Sequence, residues 1–145
     1  MPKCYCHDSC YTFSETEASN EPRVIGKAVL SEDSDQLLEN ALVVSKKVCV
    51  KSLAVTLADL PPGRETDQVV ELTLLRSIRN SCGDAFALGA TRVKVTVTIP
   101  AGDSTSVTQN LCFEPLQLKK CDLIALLVRP LAEEPVDFRV LARLC

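Results

Sequence analysis

The fold is decided by one stretch of the chain, Thr91-Arg92-Val93-Lys94-Val95-Thr96-Val97-Thr98-Ile99. Its apolar and polar residues alternate from Arg92 onward, so one face of the segment is apolar and the other is polar. Most of these residues are β-branched, which favours a strand over a helix. The turn Pro100-Ala101-Gly102-Asp103 ends the run. The stretch therefore predicts a β-strand that packs one face on a hydrophobic core.

Working outward from this strand, the chain repeats one pattern of short apolar runs separated by turn residues. The predicted strands cover residues 24–30, 41–50, 53–58, 69–78, 92–99, 107–113, 122–129 and 136–144. The only helix candidate is Ser34–Asn40, and strands do not alternate with helical segments. Eight short strands without helical crossovers predict an all-β fold, a single eight-stranded antiparallel jelly-roll sandwich.

The sequence divides into two regions. Residues 1–22 are polar and rich in Ser, Thr and Glu, which predicts an extended N-terminal arm with little intrinsic structure. Residues 23–145 form the predicted jelly-roll domain, which is long enough to bury a core. The chain has no Trp and few aromatic residues, so this core is expected to be aliphatic.

Composition argues against several classes of function. The net charge is −3 and no basic stripe exists, which argues against a nucleic-acid partner. No apolar run approaches the roughly 20 residues of a membrane-spanning helix, and the N-terminus lacks the apolar centre of a secretory signal. The single histidine, His7, lies close to the N-terminus, and no nucleophile-elbow, P-loop or dinucleotide motif is present. We therefore expect neither enzymatic activity nor a cofactor.

Eight cysteines are the most distinctive chemical feature of the sequence. Strand phase places Cys112 and Cys145 on outer faces, and turn residues place Cys82 and Cys121 at corners. Cys49 is ambiguous, because its neighbours are apolar on both sides. Exposed thiols on a rigid body, together with thiols on an arm, favour disulfide bonds between molecules. The predicted inter-subunit cysteines are Cys4, Cys6, Cys10, Cys82, Cys112, Cys121 and Cys145.

A zinc site is the alternative for the N-terminal cysteines. Cys4, Cys6, His7 and Cys10 supply four ligands of the kind that Zn²⁺ prefers. Their spacing crowds ligands that ordinarily arrive as pairs from two separate elements. Disulfide chemistry is therefore the favoured interpretation, and a small zinc-stabilised domain remains the alternative.

Three segments carry a resemblance to a known group of proteins. They are Leu72-Thr73-Leu74-Leu75-Arg76, then Val93–Ile99 with Pro100-Ala101-Gly102, and finally Cys121-Asp122-Leu123-Ile124-Ala125-Leu126 with Val128-Arg129-Pro130. Their order resembles the C-terminal jelly-roll domains of exosporium collagen-like glycoproteins and basal-layer anchor proteins of spore-forming bacteria. Cys121 stands where that family usually carries Gly. A cysteine-rich arm before one jelly roll is similar to the subunits of endospore appendage fibres, in which the arm is disulfide-bonded to neighbouring subunits.

The resemblance implies a structural, self-assembling protein of the spore surface, in the exosporium, the coat or an appendage. Its expected partners are copies of itself, with other spore-coat or exosporium proteins as further candidates. Synthesis in the mother-cell cytosol without a signal peptide, followed by exposure to air, would reconcile many cysteines with a reducing site of synthesis. The alternative assembly is a compact trimer, a binding head like those of tumour necrosis factor and complement proteins.

Overall fold

The strands form because short apolar runs alternate with polar residues and are separated by turns. A computed structural model of the chain describes residues 10–26, 29–30, 41–79 and 85–145. Within these residues the regular secondary structure is β-strand, with no helix. In chain order the strands are β1 (Tyr11–Ser14), β2 (Arg23–Ile25), β3 (Val29–Leu30), β4 (Leu42–Val43), β5 (Val48–Ala58), β6 (Gln68–Arg79), β7 (Ala85–Ile99), β8 (Val107–Leu118), β9 (Leu123–Pro130) and β10 (Arg139–Leu144).

These strands pair into two antiparallel sheets that pack as a sandwich. Sheet 1 has the order β1-β10-β5-β8, and sheet 2 has the order β3-β2-β9-β6-β7. The short strand β4 pairs with β9 at Ile124 and Leu123, beyond the residues that pair with β2. The predicted all-β class and the sandwich of antiparallel strands are confirmed.

The core between the sheets is aliphatic, as predicted. In β7, Val93, Val97 and Ile99 are buried, whereas Arg92 and Lys94 on the opposite face are exposed. Two phenylalanines, Phe13 and Phe138, are also fully buried. The largest side chains with almost no exposure are Phe13, Phe138, Ile25, Leu53, Leu57, Leu72, Leu74, Ile99, Leu118, Ile124, Leu126 and Leu144.

Several strand boundaries differ from the prediction. The predicted segment 24–30 contains the two short strands β2 and β3, and the segments 41–50 and 53–58 contain β4 and the continuous strand β5. β8 continues through Pro115 to Leu118, and Pro115 falls where the pairing of this edge strand with β5 is irregular, a position that tolerates proline. The helix candidate Ser34–Asn40 lies outside the described residues.

The segment that follows the first nine residues belongs to the body, which corrects part of the predicted arm. β1 pairs with β10 from Tyr11 opposite Leu144 to Ser14 opposite Leu141. Phe13 contributes its whole side chain to the core, and Ser19 makes a further bridge with Phe138. The prediction of little intrinsic structure therefore does not hold for this part of residues 1–22. Residues 1–9 lie outside the described part.

Candidate functional site

A row of cysteine and serine residues crosses the outer face of sheet 1. Cys10 is disulfide-bonded to Cys145, with 4.5 Å between their Cα atoms. The backbone N–H of Cys145 donates to the carbonyl of Ser52, and the N–H of Ser52 donates back, both at 2.9 Å. Ser52 in turn lies opposite Cys112 on β8. The row therefore joins all four strands of the sheet.

The outward direction of this row follows from the alternation of β5 and β8. Leu53, Val55 and Leu57 point into the core, so the alternate residues Ser52, Ala54 and Thr56 point outward. Thr56 and Thr108 meet across these strands on that outer side, with 3.0 Å between their Oγ1 atoms. Cys112 has the same strand phase as Thr108, is exposed and is a free thiol. Its predicted outward position is confirmed.

The other predicted cross-linking cysteines have different environments. Cys10 is bonded to Cys145 within one chain, whereas the sequence predicts that both are candidates for bonds between subunits. Cys145 lies on the outer side of its strand as expected, but it is half-buried. Cys49, ambiguous in the sequence, is buried and disulfide-bonded. Three of the predicted cysteines, Cys4, Cys6 and Cys82, lie outside the described residues.

Cys121 occupies the corner between β8 and β9, as the turn residues predicted. It is exposed and its φ is +71°, a left-handed backbone conformation that glycine adopts without strain. The Cys121 N–H donates to the carbonyl of Val44 at 2.7 Å, and the carboxylate of Asp122 accepts from the N–H of Lys119 at 2.8 Å. These bonds fix the corner against the loop that precedes β5.

Cys10, one of the four predicted zinc ligands, is not available to bind a metal in this structure. Zinc is bound by the deprotonated thiol, and the sulfur of Cys10 is in a disulfide in this structure. Cys4, Cys6 and His7 lie outside the described part of the chain. Among the described residues, no three His, Cys, Asp or Glu side chains are grouped as metal ligands.

A buried ion pair that the sequence analysis missed anchors β1 to both sheets. The guanidinium of Arg23 donates to both carboxylate oxygens of Glu15, at 2.6 and 2.7 Å, and both side chains are at least 96% buried. Arg23 also donates to the carbonyl of Phe138 at 2.9 Å, and its guanidinium lies 4.6 Å from the centre of that ring. Glu15 accepts a further bond from the N–H of Val140 at 2.9 Å. Neither residue shows a sequence signal, because the partners meet only through the sheet pairing.

The free edge of sheet 1 is partly covered. β8 is the outermost strand, with β5 on its inner side. Arg92 donates to the carbonyls of Glu114 and Pro115, and Arg76 donates to the carbonyl of Gln117 at 3.2 Å. These arginines from sheet 2 occupy backbone acceptors in the second half of the edge. No strand of the described residues pairs with the outer side of residues 107–113.

The comparisons with known proteins add no identification. No protein-family model matches the sequence, and the search of curated proteins finds no match. Across the described ranges, the structure contains no helix with the length and apolarity needed to cross a bilayer.

Proposed function

We propose that this protein is a structural, self-assembling subunit of a spore-surface layer or appendage fibre, whose copies are joined by disulfide bonds. The single observation that carries the proposal is the exposed free thiol of Cys112 on the outer face of sheet 1. It lies on the exposed side of paired strands, where a second molecule can approach it. We propose no catalytic role and no cofactor.

The cross-link can form without an external oxidant. The thiolate of Cys112 in one copy attacks a sulfur of the Cys10–Cys145 disulfide in another copy. One S–S bond breaks, a mixed disulfide forms, and the displaced cysteine leaves as a thiolate that takes up a proton. Because every copy carries both the attacking thiol and the disulfide, each copy can react once as donor and once as acceptor. The reaction therefore propagates along a chain of copies.

The edge of sheet 1 supplies a second, non-covalent contact. An unpaired strand edge can add a strand from another molecule through backbone hydrogen bonds. Residues 107–113 of β8 supply this edge, and Cys112 lies within it. Strand addition at this place would bring another copy's thiols beside Cys112. Cys4, Cys6, Cys82 and Cys121 remain proposed contributors to such bonds.

We further propose that the sandwich is a jelly roll. The chain crosses between the sheets several times, with β1, β5, β8 and β10 in sheet 1 and the other strands in sheet 2. β2 and β4 pair with successive parts of the same strand β9, so they act as one interrupted strand. Counting them once gives nine strand positions among the described residues, and we propose that the two-residue strand β3 is an addition to an eight-stranded jelly roll.

The same strand order also supports the alternative assembly, a trimeric binding head like those of tumour necrosis factor and complement proteins. Such a head would be a closed trimer, with its mass unchanged by reductant. A structural subunit would instead form oligomers of many different sizes, with no fixed number of copies. Other spore-coat or exosporium proteins are proposed as further partners, and synthesis in the mother-cell cytosol is part of the same proposal.

Electrophoresis after incubation without reductant and under nitrogen tests the cross-linking by exchange. The wild-type protein should give a ladder without reductant and a monomer with it. Cys112→Ser should lose most of the ladder, whereas Cys121→Ser, which removes an exposed cysteine proposed only as a further contributor, should keep most of it. A wild-type monomer without reductant, or an unchanged ladder from Cys112→Ser, would contradict the proposed role of Cys112.

A further inference from the structure

Among the described residues, the loops at the two ends of the sandwich carry opposite charge. The strand register defines them, because Val48 pairs with Leu118 at one end of sheet 1 and Leu57 pairs with Val107 at the other. At the first end lie the described loops 44–47 and 119–122. At the second end lie the loops 15–22, 59–67, 100–106 and 131–138. We call these the basic end and the acidic end.

The basic end presents four exposed lysines on two adjoining loops. Lys46 and Lys47 lie in the first loop, and Lys119 and Lys120 lie in the second. The loops are joined by backbone hydrogen bonds between residues 44 and 121 and between residues 44 and 122, at 2.7 and 2.8 Å. The acidic residue of these two loops, Asp122, is 6% exposed. These two loops therefore carry four exposed lysines against one carboxylate, which leaves them with a net positive charge.

The acidic end has the reverse composition. The single basic residue of its four loops is Arg64, which is buried and donates to the carbonyls of Pro61, Pro100 and Ser104. These bonds hold two of the loops together and keep the positive charge below the surface. The exposed acids of the four loops are Glu17, Glu21, Asp59, Glu65, Asp67, Asp103, Glu133, Glu134 and Asp137.

The acidic end is also concave. An open pocket of about 530 Å³ lies between the segment 63–68 and the segment 132–136. Gln68 fixes its width by accepting from the N–H of Val136 at 3.0 Å and donating to the carbonyl of Glu134 at 3.2 Å. Glu65 and Asp67 line one side and Glu133 and Glu134 line the other. A long, flexible ammonium side chain suits such a pocket.

We propose that copies of this chain stack head to tail, with the basic end of one copy docked on the acidic end of the next. The lysines of the basic end enter the pocket between Glu65 and Glu133. Each copy uses two different surfaces, so the contact is heterologous. Such a contact repeats into an open filament, or closes into a ring if the rotation between successive copies allows it. This stacking rests on the proposed self-assembly and specifies which ends of the copies meet. Its contacts are non-covalent and do not involve Cys112.

The association of Cys112→Ser protein, alkylated at its free thiols without prior reduction so that the Cys10–Cys145 disulfide stays intact, tests this stacking apart from the cross-linking. Sedimentation velocity should show self-association that weakens at least about tenfold between about 0.02 M and about 0.5 M NaCl, which shortens the Debye length from roughly 20 Å to roughly 4 Å. A monomer at low salt would overturn the stacking while leaving the covalent ladder to be judged separately by electrophoresis.

Charge exchange identifies the surfaces. A basic-end variant with Lys46→Glu, Lys47→Glu, Lys119→Glu and Lys120→Glu should not self-associate, and neither should an acidic-end variant with Glu65→Lys, Glu133→Lys and Glu134→Lys. The protein that combines both sets should associate again, because the complementarity is restored in reverse. The control Lys94→Glu alters an exposed lysine in the middle of a strand and should keep the wild-type behaviour. Failure of the combined variant to associate, while circular dichroism shows it folded, would overturn the proposal.

Discussion

Removal of the Cys10–Cys145 disulfide should destabilise the fold strongly, because this bond closes nearly the whole chain into a loop. The change is Cys10→Ser with Cys145→Ser, made in a Cys112→Ser background so that exchange between molecules does not interfere. The sequence separation of the two cysteines is 135 residues. A cross-link of this length restricts the unfolded chain far more than a cross-link in a local loop does.

The magnitude follows from the loop length. The chain-entropy relation gives about 5 kcal/mol for a closed loop of 135 residues, near the upper end of the 2–5 kcal/mol that removal of native disulfides typically costs. With a slope of about 4 kcal/mol/M in guanidinium chloride, the unfolding midpoint should fall by about 0.5–1.2 M. The lost stability includes the larger conformational entropy of the unfolded chain and any weakening of the pairing between β1 and β10.

The assay is equilibrium unfolding in guanidinium chloride, followed by far-ultraviolet circular dichroism. Thr12→Ser is the matched control, because Thr12 is exposed on the same strand and makes no disulfide. Its midpoint should stay close to that of the parent. A midpoint of the doubly substituted protein within about 0.2 M of the parent would refute the reasoning, since it would mean that the bond does not restrain the chain.

Two further predictions concern how β1 is held. Phe13→Ala should lower the free energy of unfolding by about 3–5 kcal/mol, because the ring is fully buried, whereas Thr12→Ala on the exposed face should change it by less than about 0.5 kcal/mol; denaturant unfolding measures both. Burial raises the pKa of Tyr11, so the folded chain binds its phenolic proton more tightly than the unfolded chain does. The contribution of Tyr11 to the free energy of unfolding should therefore be fully present below its ordinary pKa of 10.0 and should be lost as the pH rises above that value. Tyr11→Phe should reduce this loss. Unfolding of the Cys112→Ser protein across that pH range tests the effect, and an unchanged pH dependence in Tyr11→Phe would contradict it.

Strands with local alternation could be predicted from the sequence. The run in β7 has β-branched residues at a period of two, and its buried and exposed faces follow that period. The same phase argument placed Cys112 outward, because Val107, Leu111 and Phe113 all pack toward the core. In both cases the information is contained in neighbouring residues, so no distant contact is needed.

Features that depend on distant contacts could not be predicted in this way. β1 lies among polar residues, and its stability comes from β10 and from the buried pair of Glu15 and Arg23. The sequence predicts separate strands at 41–50 and 53–58, because Lys51 and Ser52 interrupt the apolar run. In the structure the register shifts between Val50 and Ser52, and both N–H groups of the interruption donate to the carbonyl of Cys145. The cause of the irregularity is thus almost a hundred residues away along the chain.

The central claim is that Cys112 forms disulfide bonds between copies, and isotope mixing tests it most directly. Equal amounts of ¹⁴N-labelled and ¹⁵N-labelled protein are mixed, left to form cross-links and digested without reductant, and the disulfide-linked peptides are then weighed by mass spectrometry. The account predicts that peptides containing Cys112 occur in pairs of one light and one heavy partner, which only a bond between molecules can produce. If every disulfide-linked pair containing Cys112 were purely light or purely heavy, or if Cys112 remained a thiol throughout, the claim would be contradicted.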